Sequence, residues 1–249
     1  MKILAIIGSP RINGNTYKAV HEIEKELEAR DSNIKFEYVQ LSRIDLKPCR
    51  GCFVCIEKGE ERCPLKDDRE SLELKMKQAD AVIFASPVYT YNVSWIMKNF
   101  QDRFAYRCHR PDFHGKKAMV VVTTGAVGLK FVSFLLASTM GSMGFITCAE
   151  VGVTFAPAHE SDEKRQKREQ NKLIRQAEVF YNKLIDTKPV KPSLIKLLTF
   201  KKQRKAFIQA PKDLVDYKFW KEKGWFEKKT AYYYETKIGL ISKMISKIL

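Results

Sequence analysis

The first sixteen residues constrain the chain more than any other stretch. Lys2 to Ile7 form a short, almost uninterrupted aliphatic run, which suits a strand buried on both faces of a parallel sheet. The run passes directly into Gly8-Ser9-Pro10-Arg11-Ile12-Asn13-Gly14-Asn15-Thr16, and Lys18 to Ala29 behind it carry apolar residues at helical spacing. A helix opening at Asn15 or Thr16 points free N–H groups and the positive end of its dipole into that loop, where an anion is stabilised. Ser9 and Thr16 offer hydroxyls, Asn13 and Asn15 amides, and Arg11 a full charge on a planar fork. Gly8 and Gly14 let the backbone come close. The loop therefore predicts a cradle for a phosphate monoester; the alternative is a capped strand-to-helix turn with no ligand.

Further strands are expected at 34–40, 81–85, 117–123 and 146–155. Helices are expected at 67–78, 93–105, 130–143 and 161–186, with a long connection at 41–63. Strands alternating with helices at this spacing imply a parallel sheet covered on both faces. In such sheets a ligand sits beyond the carboxyl ends of the strands, where the strand order reverses. Three segments follow such ends: Ser9 to Thr16, Ser86-Pro87-Val88-Tyr89-Thr90-Tyr91-Asn92, and Thr123-Thr124-Gly125-Ala126-Val127-Gly128. The second has tyrosines on a proline-stiffened turn, suited to wall a flat ring, with packing or a dimer surface as the alternative. The third has glycines and backbone N–H groups able to approach a ring edge. A phosphate at one end and a planar heterocycle at the other describe FMN. No Gly-x-Gly-x-x-Gly follows the first strand, and no Gly-x-x-x-x-Gly-Lys-Ser/Thr occurs, so a Rossmann dinucleotide site and a nucleoside triphosphatase are unsupported.

The motifs Gly-Ser-Pro-Arg-x-Asn-Gly-Asn-Thr, Ser86-Pro87-Val88-Tyr89 and Thr123-Thr124-Gly125 resemble those of the NADPH-dependent FMN reductase and flavodoxin-like superfamily, over about residues 1–187. The resemblance implies an α/β, flavodoxin-like, doubly wound five-stranded parallel sheet of order 2-1-3-4-5 with noncovalently bound FMN. It also assigns Ser9, Arg11, Asn13, Asn15 and Thr16 to the phosphate. Pro87, Val88, Tyr89, Asn92, Thr124 and Gly125 fall to the isoalloxazine.

Cys49, Cys52, Cys55 and Cys63 form C-x2-C-x2-C-x7-C, with Pro64 after the last. Three cysteines at two-residue gaps can hold three corners of a cubane while a fourth closes it, as in ferredoxin loops. Zinc more often takes two separated pairs, so the spacing favours a [4Fe-4S] cluster; zinc and metal-free thiols are the alternatives. The pattern, with Lys66-Asp67-Asp68 behind it, resembles the iron-sulfur flavoprotein branch of the same superfamily. That likeness implies a homo-oligomer in which cluster and flavin meet across a subunit boundary. Cys108 and Cys148 read as packed thiols. His21, His109, His114 and His159 make no pair at ligand spacing.

The expected function is FMN-dependent oxidoreduction, with no catalytic side chain, passing electrons through the cluster between NAD(P)H or ferredoxin and an unknown acceptor. The other reading is a flavodoxin-like electron carrier or binding module whose cysteine loop holds no cluster and whose tail locates it at a membrane or partner.

Charge divides the chain. Residues 188–249 hold 16 Lys and Arg against 5 Asp and Glu, a net of +11 out of +16 overall. Two prolines, Pro189 and Pro192, separate this basic, mainly helical extension from the FMN-binding domain at 1–187. Ile238, Ile241, Ile245 and Ile248 recur at helical spacing beside Lys237, Lys243 and Lys247. Such a stripe docks on its own body more often than on an anionic membrane, and nucleic acid is a minor expectation. No run of 18 apolar residues exists, and the first residues enter a strand without a signal-peptide pattern, so a cytoplasmic protein is expected.

Overall fold

A computed structural model describes residues 1–155, 163–236 and 238. Five parallel strands, β1 (Lys2–Ile7), β2 (Lys35–Gln40), β3 (Ala81–Tyr89), β5 (Lys117–Thr124) and β6 (Ile146–Thr154), lie in the order β2-β1-β3-β5-β6. A two-residue strand, β4 (Asn92–Val93), folds back antiparallel on the end of β3. Leaving that hairpin arm aside, the order is the expected 2-1-3-4-5. Strand β3 runs four residues beyond the expected Ala85, because Ser86 and Pro87 still pair with β5.

Alternate residues of the central strands enter two separate cores, as a period of two requires. Ile3, Ala5, Ile7, Ile83 and Val121 pack against α1 (Asn15–Arg30) and α7 (Glu163–Ile185), through Ala19, Ile23 and Leu27 and through Leu173, Ala177 and Phe180. Leu4, Ile6, Phe84, Val120 and Val122 pack on the other face. Their partners are Leu72 and Met76 of α3 (Arg69–Gln78), Met97 and Phe100 of α4 (Trp95–Arg103), and Val132, Leu136 and Met140 of α6 (Leu129–Ser142). The helix expected over 93–105 is α4, which starts two residues later because Val93 belongs to β4, and a further turn, α5 (Tyr106–His109), follows it. In the long connection a single turn, α2 (Val54–Glu57), is flanked by positive φ at Gly51, Phe53 and Gly59.

The extension forms α8 (Leu194–Ile208) and α9 (Val215–Glu222) around a third core of Leu197, Phe200, Trp220, Trp225 and Tyr232. Ile238 packs on that core; the rest of the terminal isoleucine stripe, with its lysines, and His159 lie outside the described residues. No helix among the described residues is long and apolar enough to cross a membrane.

Ser94 ties the sheet edge to α4. It caps the helix by accepting from Met97 N at 3.2 Å, donates to Gly8 O, and its own N–H reaches Ser86 Oγ at 3.1 Å. Ser94→Ala should cost about 1–2 kcal/mol in urea denaturation, through a lost cap and an orphaned carbonyl; a loss under about 0.5 kcal/mol contradicts this role.

A buried charge cluster fastens α3 to α5. The Glu73 carboxylate accepts from Arg69 Nη1 at 3.0 Å, from Tyr106 Oη at 2.6 Å and from Arg107 Nη2, while Lys77 Nζ lies 3.2 Å away. The Arg107 guanidinium lies 4.9 Å from the Tyr106 ring centre. Burial alone would raise the Glu73 pKa, but Arg107, Tyr106 and Lys77 outweigh it and hold the carboxyl below its ordinary value. A depressed carboxylate contributes stability that is present above the unfolded pKa, about 4.3, and is lost as pH falls through the folded value. Glu73→Gln should therefore destabilise by about 3 kcal/mol at pH 7 and narrow the stability difference between pH 7 and pH 3. Equal pH dependence in variant and parent would contradict the assignment.

Candidate functional site

Because the five long strands run the same way, the loops after β1, β3 and β5 meet at one edge. They enclose a cleft of about 500 Å3 lined by Arg11, Asn15, Thr16, Lys18, Pro87, Val88, Tyr89, Thr123, Thr124, Gly125 and Phe155. That volume lies within the usual range of small-molecule sites, roughly 300–1,000 Å3.

The first loop leaves the sheet at Gly8, whose N–H donates to Ala85 O at 2.7 Å. A Cβ there would fall 2.6 Å from Met97 Cβ, so only glycine lets the loop start this close to α4. Ser9 is buried, and its hydroxyl accepts from Arg11 N and donates to Arg11 O, both at 3.2 Å. It shapes the turn and does not line the cleft. Gly14 stands at the N-cap of α1 and supplies no side-chain cap, so the first amides of the helix are left to the loop's interior. Thr16 Oγ1 and Thr123 Oγ1 share a buried hydrogen bond of 2.8 Å, tying this loop to β5. Asn13 faces a different cleft, with Tyr17, Tyr38, Gln40 and Arg43 beside β2.

At the other end of the cleft, Thr124 Oγ1 donates to Val127 O at 2.9 Å and accepts from Ala126 N at 3.2 Å, which fixes the third loop. A Cβ on Gly125 would meet nothing within 4 Å, so backbone there faces open space. Tyr89 precedes a tight β3–β4 turn whose central residues, Thr90 and Tyr91, hold φ of 49° and 58°. Two left-handed non-glycine residues are strained, and such strain clusters at ligand sites. Asn92 spends its side-chain oxygen on Val93 N at 2.8 Å and lies outside the cleft. Thr123, in the third expected segment, lines the cleft, and Lys18 and Phe155 were not among the expected lining residues. The carboxyl-end rule applied to β6 finds Phe155, and Lys18 lies one turn beyond Asn15.

The cleft fits FMN on its own features: uncapped helix amides and Arg11 from the first loop, and an open glycine backbone and Tyr89 from the others. Among the described residues no set of three or more His, Cys, Asp or Glu side chains is gathered to hold a metal ion. Cys49, Cys52, Cys55 and Cys63 are all free thiols, the first two exposed and the others half-buried, a donor type that iron-sulfur clusters and zinc both take. Burial pushes the Cys55 thiol up, and Cys63 and Cys49 push it the same way. Cys108 is raised by burial to about 11, the property of a packed thiol.

The loop rests on a row of polar residues at successive helical turns. Asn99 Oδ1 accepts from Cys49 N at 2.9 Å, and its Nδ2 donates to Leu46 O at 2.9 Å. Arg103 Nη2 donates to Asp67 Oδ1 at 2.7 Å, and Arg107 Nη2 to Glu60 Oε1 at 2.9 Å. Arg110 Nη2 reaches Cys55 O at 2.6 Å and Glu60 Oε2 at 2.9 Å. All three arginines are buried, and the Nε atoms of each, with Arg103 Nη1, have no hydrogen-bond partner among the described residues. The loop is thus backed by guanidinium donors that hold its carbonyl and carboxylate groups. Sequence reasoning missed this row; its signal was the spacing 99, 103, 107 and 110.

Comparison with known proteins agrees with this geometry. The family model for NADPH-dependent FMN reductase matches residues 1–160. An iron-sulfur flavoprotein from Archaeoglobus fulgidus is 36% identical over 230 residues, covering 90% of this chain and 99% of its own. Among solved structures, the apo form of an NADH:FMN oxidoreductase superposes with a TM-score of 0.54 at 19% identity, covering 76% of this chain and 91% of its own. An NAD(P)H:quinone oxidoreductase from Methanothermobacter marburgensis gives a TM-score of 0.51 at 16% identity, covering 71% and 94%. The two structures speak for the fold; the family match and the full-length relative speak for descent. The chain belongs to the NADPH-dependent FMN reductase family of FMN-dependent oxidoreductases, in its iron-sulfur flavoprotein branch.

Proposed function

We propose that this protein is an iron-sulfur flavoprotein that couples a two-electron donor to one-electron chemistry, with FMN in the sheet-edge cleft and a [4Fe-4S] cluster on Cys49, Cys52, Cys55 and Cys63. One observation carries the reading: the loops after β1, β3 and β5, expected to take the phosphate and the ring, share one cleft. The four free thiols stand on a loop braced from behind by buried arginines.

Bound flavin supplies hydride or single-electron transfer, and a bound cluster single-electron transfer, so the protein's task is to hold and to orient. Arg11 supplies the positive charge for the phosphate, and the free amides at the start of α1 accept it without a side-chain competitor. Asn15 and Thr16 flank the phosphate from the first turn of the helix. Pro87, Val88, Tyr89 and Phe155 line the cleft and would wall a bound ring. The Gly125 backbone, with open space where a Cβ would stand, would admit the edge of a bound ring. Ser9 acts on the phosphate through the loop conformation it fixes, and Asn92 on the ring through the hairpin.

NAD(P)H is the donor we favour, since the family model describes NADPH-dependent reductases. Its test is anaerobic purification, flavin and iron assay, and stopped-flow reduction by NADPH. The reading expects close to one FMN and four irons per chain, with bleaching of the flavin band on mixing. Cys52→Ser should remove iron and leave flavin content unchanged. Protein that binds FMN but neither iron nor zinc supports the carrier reading, zinc in place of iron makes the loop structural, and failure to bind FMN overturns the proposal.

A further inference from the structure

The C-terminal extension touches the body at the segment that holds the cysteine loop. Asp216, at the start of α9, is 1% exposed although it is a carboxylate. It accepts from Arg110 Nη1 through one oxygen and lies 2.8 Å from His109 Nδ1 through the other. Arg110, itself 1% exposed, spends its second terminal nitrogen on the Cys55 carbonyl and the Glu60 carboxylate. A single guanidinium thus joins the extension to the loop that carries the four thiols. Neighbouring contacts bind the same segment: Trp220 Nε1 donates to His109 O at 2.8 Å, and Gln203 Nε2 to Cys108 O at 2.9 Å. Lys223 Nζ pairs with Asp112 at 3.0 Å, and Tyr233 stacks on His114 with ring centres 4.6 Å apart.

We propose that Asp216, acting through Arg110, is a positioning residue for the cysteine loop, so that the extension sets the geometry of the segment from Cys49 to Cys63. The physical reason is charge balance in a dry place. Arg110 faces Glu60 on the loop side and Asp216 on the extension side, and its Nη2 hydrogens are divided between Glu60 and the Cys55 carbonyl. Without Asp216, the buried guanidinium must be compensated by loop groups alone or by water entering beneath α2, and either change moves the Cys55 carbonyl. The loop's other braces, Asn99 at Cys49 and Arg107 at Glu60, hold its two ends, whereas Arg110 holds the Cys55 carbonyl between them. The loop backbone passes through left-handed turns at Gly51, Phe53 and Gly59, and Cys49 and Cys52 are exposed. Stability borrowed from a distant element is what keeps such a segment in one shape. The inference concerns the loop itself and stands whether the thiols hold iron or not.

The test uses the full chain loaded with FMN, free of metal, treated with iodoacetamide and read peptide by peptide in a mass spectrometer. Asp216→Asn should speed modification of the half-buried Cys55 by roughly tenfold or more. Cys148, a half-buried thiol in β6, serves as internal control and should keep its rate. Arg110→Lys removes the fork that joins Asp216 to the Cys55 carbonyl and leaves both carboxylates in place, so it tests the brace even where Asp216→Asn does not fold, and should accelerate Cys55 alike. Unchanged Cys55 rates in the folded variants overturn the proposal, as does a parallel rise at Cys148, which would mean general loosening. In anaerobically reconstituted protein the same variants should lose iron to a chelator several-fold faster. A parent protein that never takes up iron refutes the cluster reading and leaves the alkylation result to decide the brace.

Discussion

The site depends first on the parallel pairing of β1 with β3 and of β3 with β5. Parallel strands deliver their carboxyl ends to one edge, and the loops that follow them have no other place to go. Had β3 paired antiparallel, Tyr89 and Gly125 would lie at opposite ends of the sheet. The continuous aliphatic character of these strands secures that pairing, since both faces are covered: Ile3, Ala5 and Ile7 feed one core, and Leu4 and Ile6 the other. Two further bonds then align the edge. Gly8 N–H to Ala85 O sets the first loop against β3, and the paired hydroxyls of Thr16 and Thr123 set α1 against β5.

Around this edge the molecule adds layers that serve one another. The polar row Asn99, Arg103, Arg107 and Arg110 turns one surface of α4 and α5 from a sheet-covering helix into a bed for the cysteine loop. Glu73 balances the charge of that bed from α3, with Tyr106 of α5 hydrogen-bonded to it, and Asp216 balances it from the extension. Arginine suits these positions because its planar fork reaches two or three acceptors at once, as Arg110 does with Cys55, Glu60 and Asp216. A buried network of this kind is favourable only when its members are paired, so the loop, α3 and the extension hold their places together.

What was legible in the sequence follows from how directly each feature is coded. The central strands were plain because a strand buried on both faces admits little except aliphatic residues, and the loop after β1 was plain because few turns combine glycine, hydroxyl, amide and arginine in nine positions. Arg11, Asn15, Thr16, Pro87, Val88, Tyr89, Thr124 and Gly125 share the cleft, whereas Ser9, Asn13 and Asn92 turn to other partners. Loop sequence gives the presence of a polar group and not its direction. The β3–β4 hairpin was missed because Thr90-Tyr91 lacks the Asn-Gly signature of turns with left-handed residues. The arginine row was missed because charges at helical spacing read as a solvated face, and only the long connection folding over them makes them interior. The aromatic core of the extension, centred on Trp220, grips α5 through contacts that no local pattern in the sequence announces.

The account rests on the loop from Gly8 to Thr16 gripping a phosphate. Comparing the affinity of the flavin-stripped protein for FMN and for riboflavin by fluorescence titration isolates that grip, because the two ligands differ only by the phosphate. The account predicts that FMN binds at least about a hundredfold more tightly, and that the advantage shrinks as salt is raised, as expected for a charge-assisted contact at a helix terminus. Equal affinity for the two flavins would contradict it.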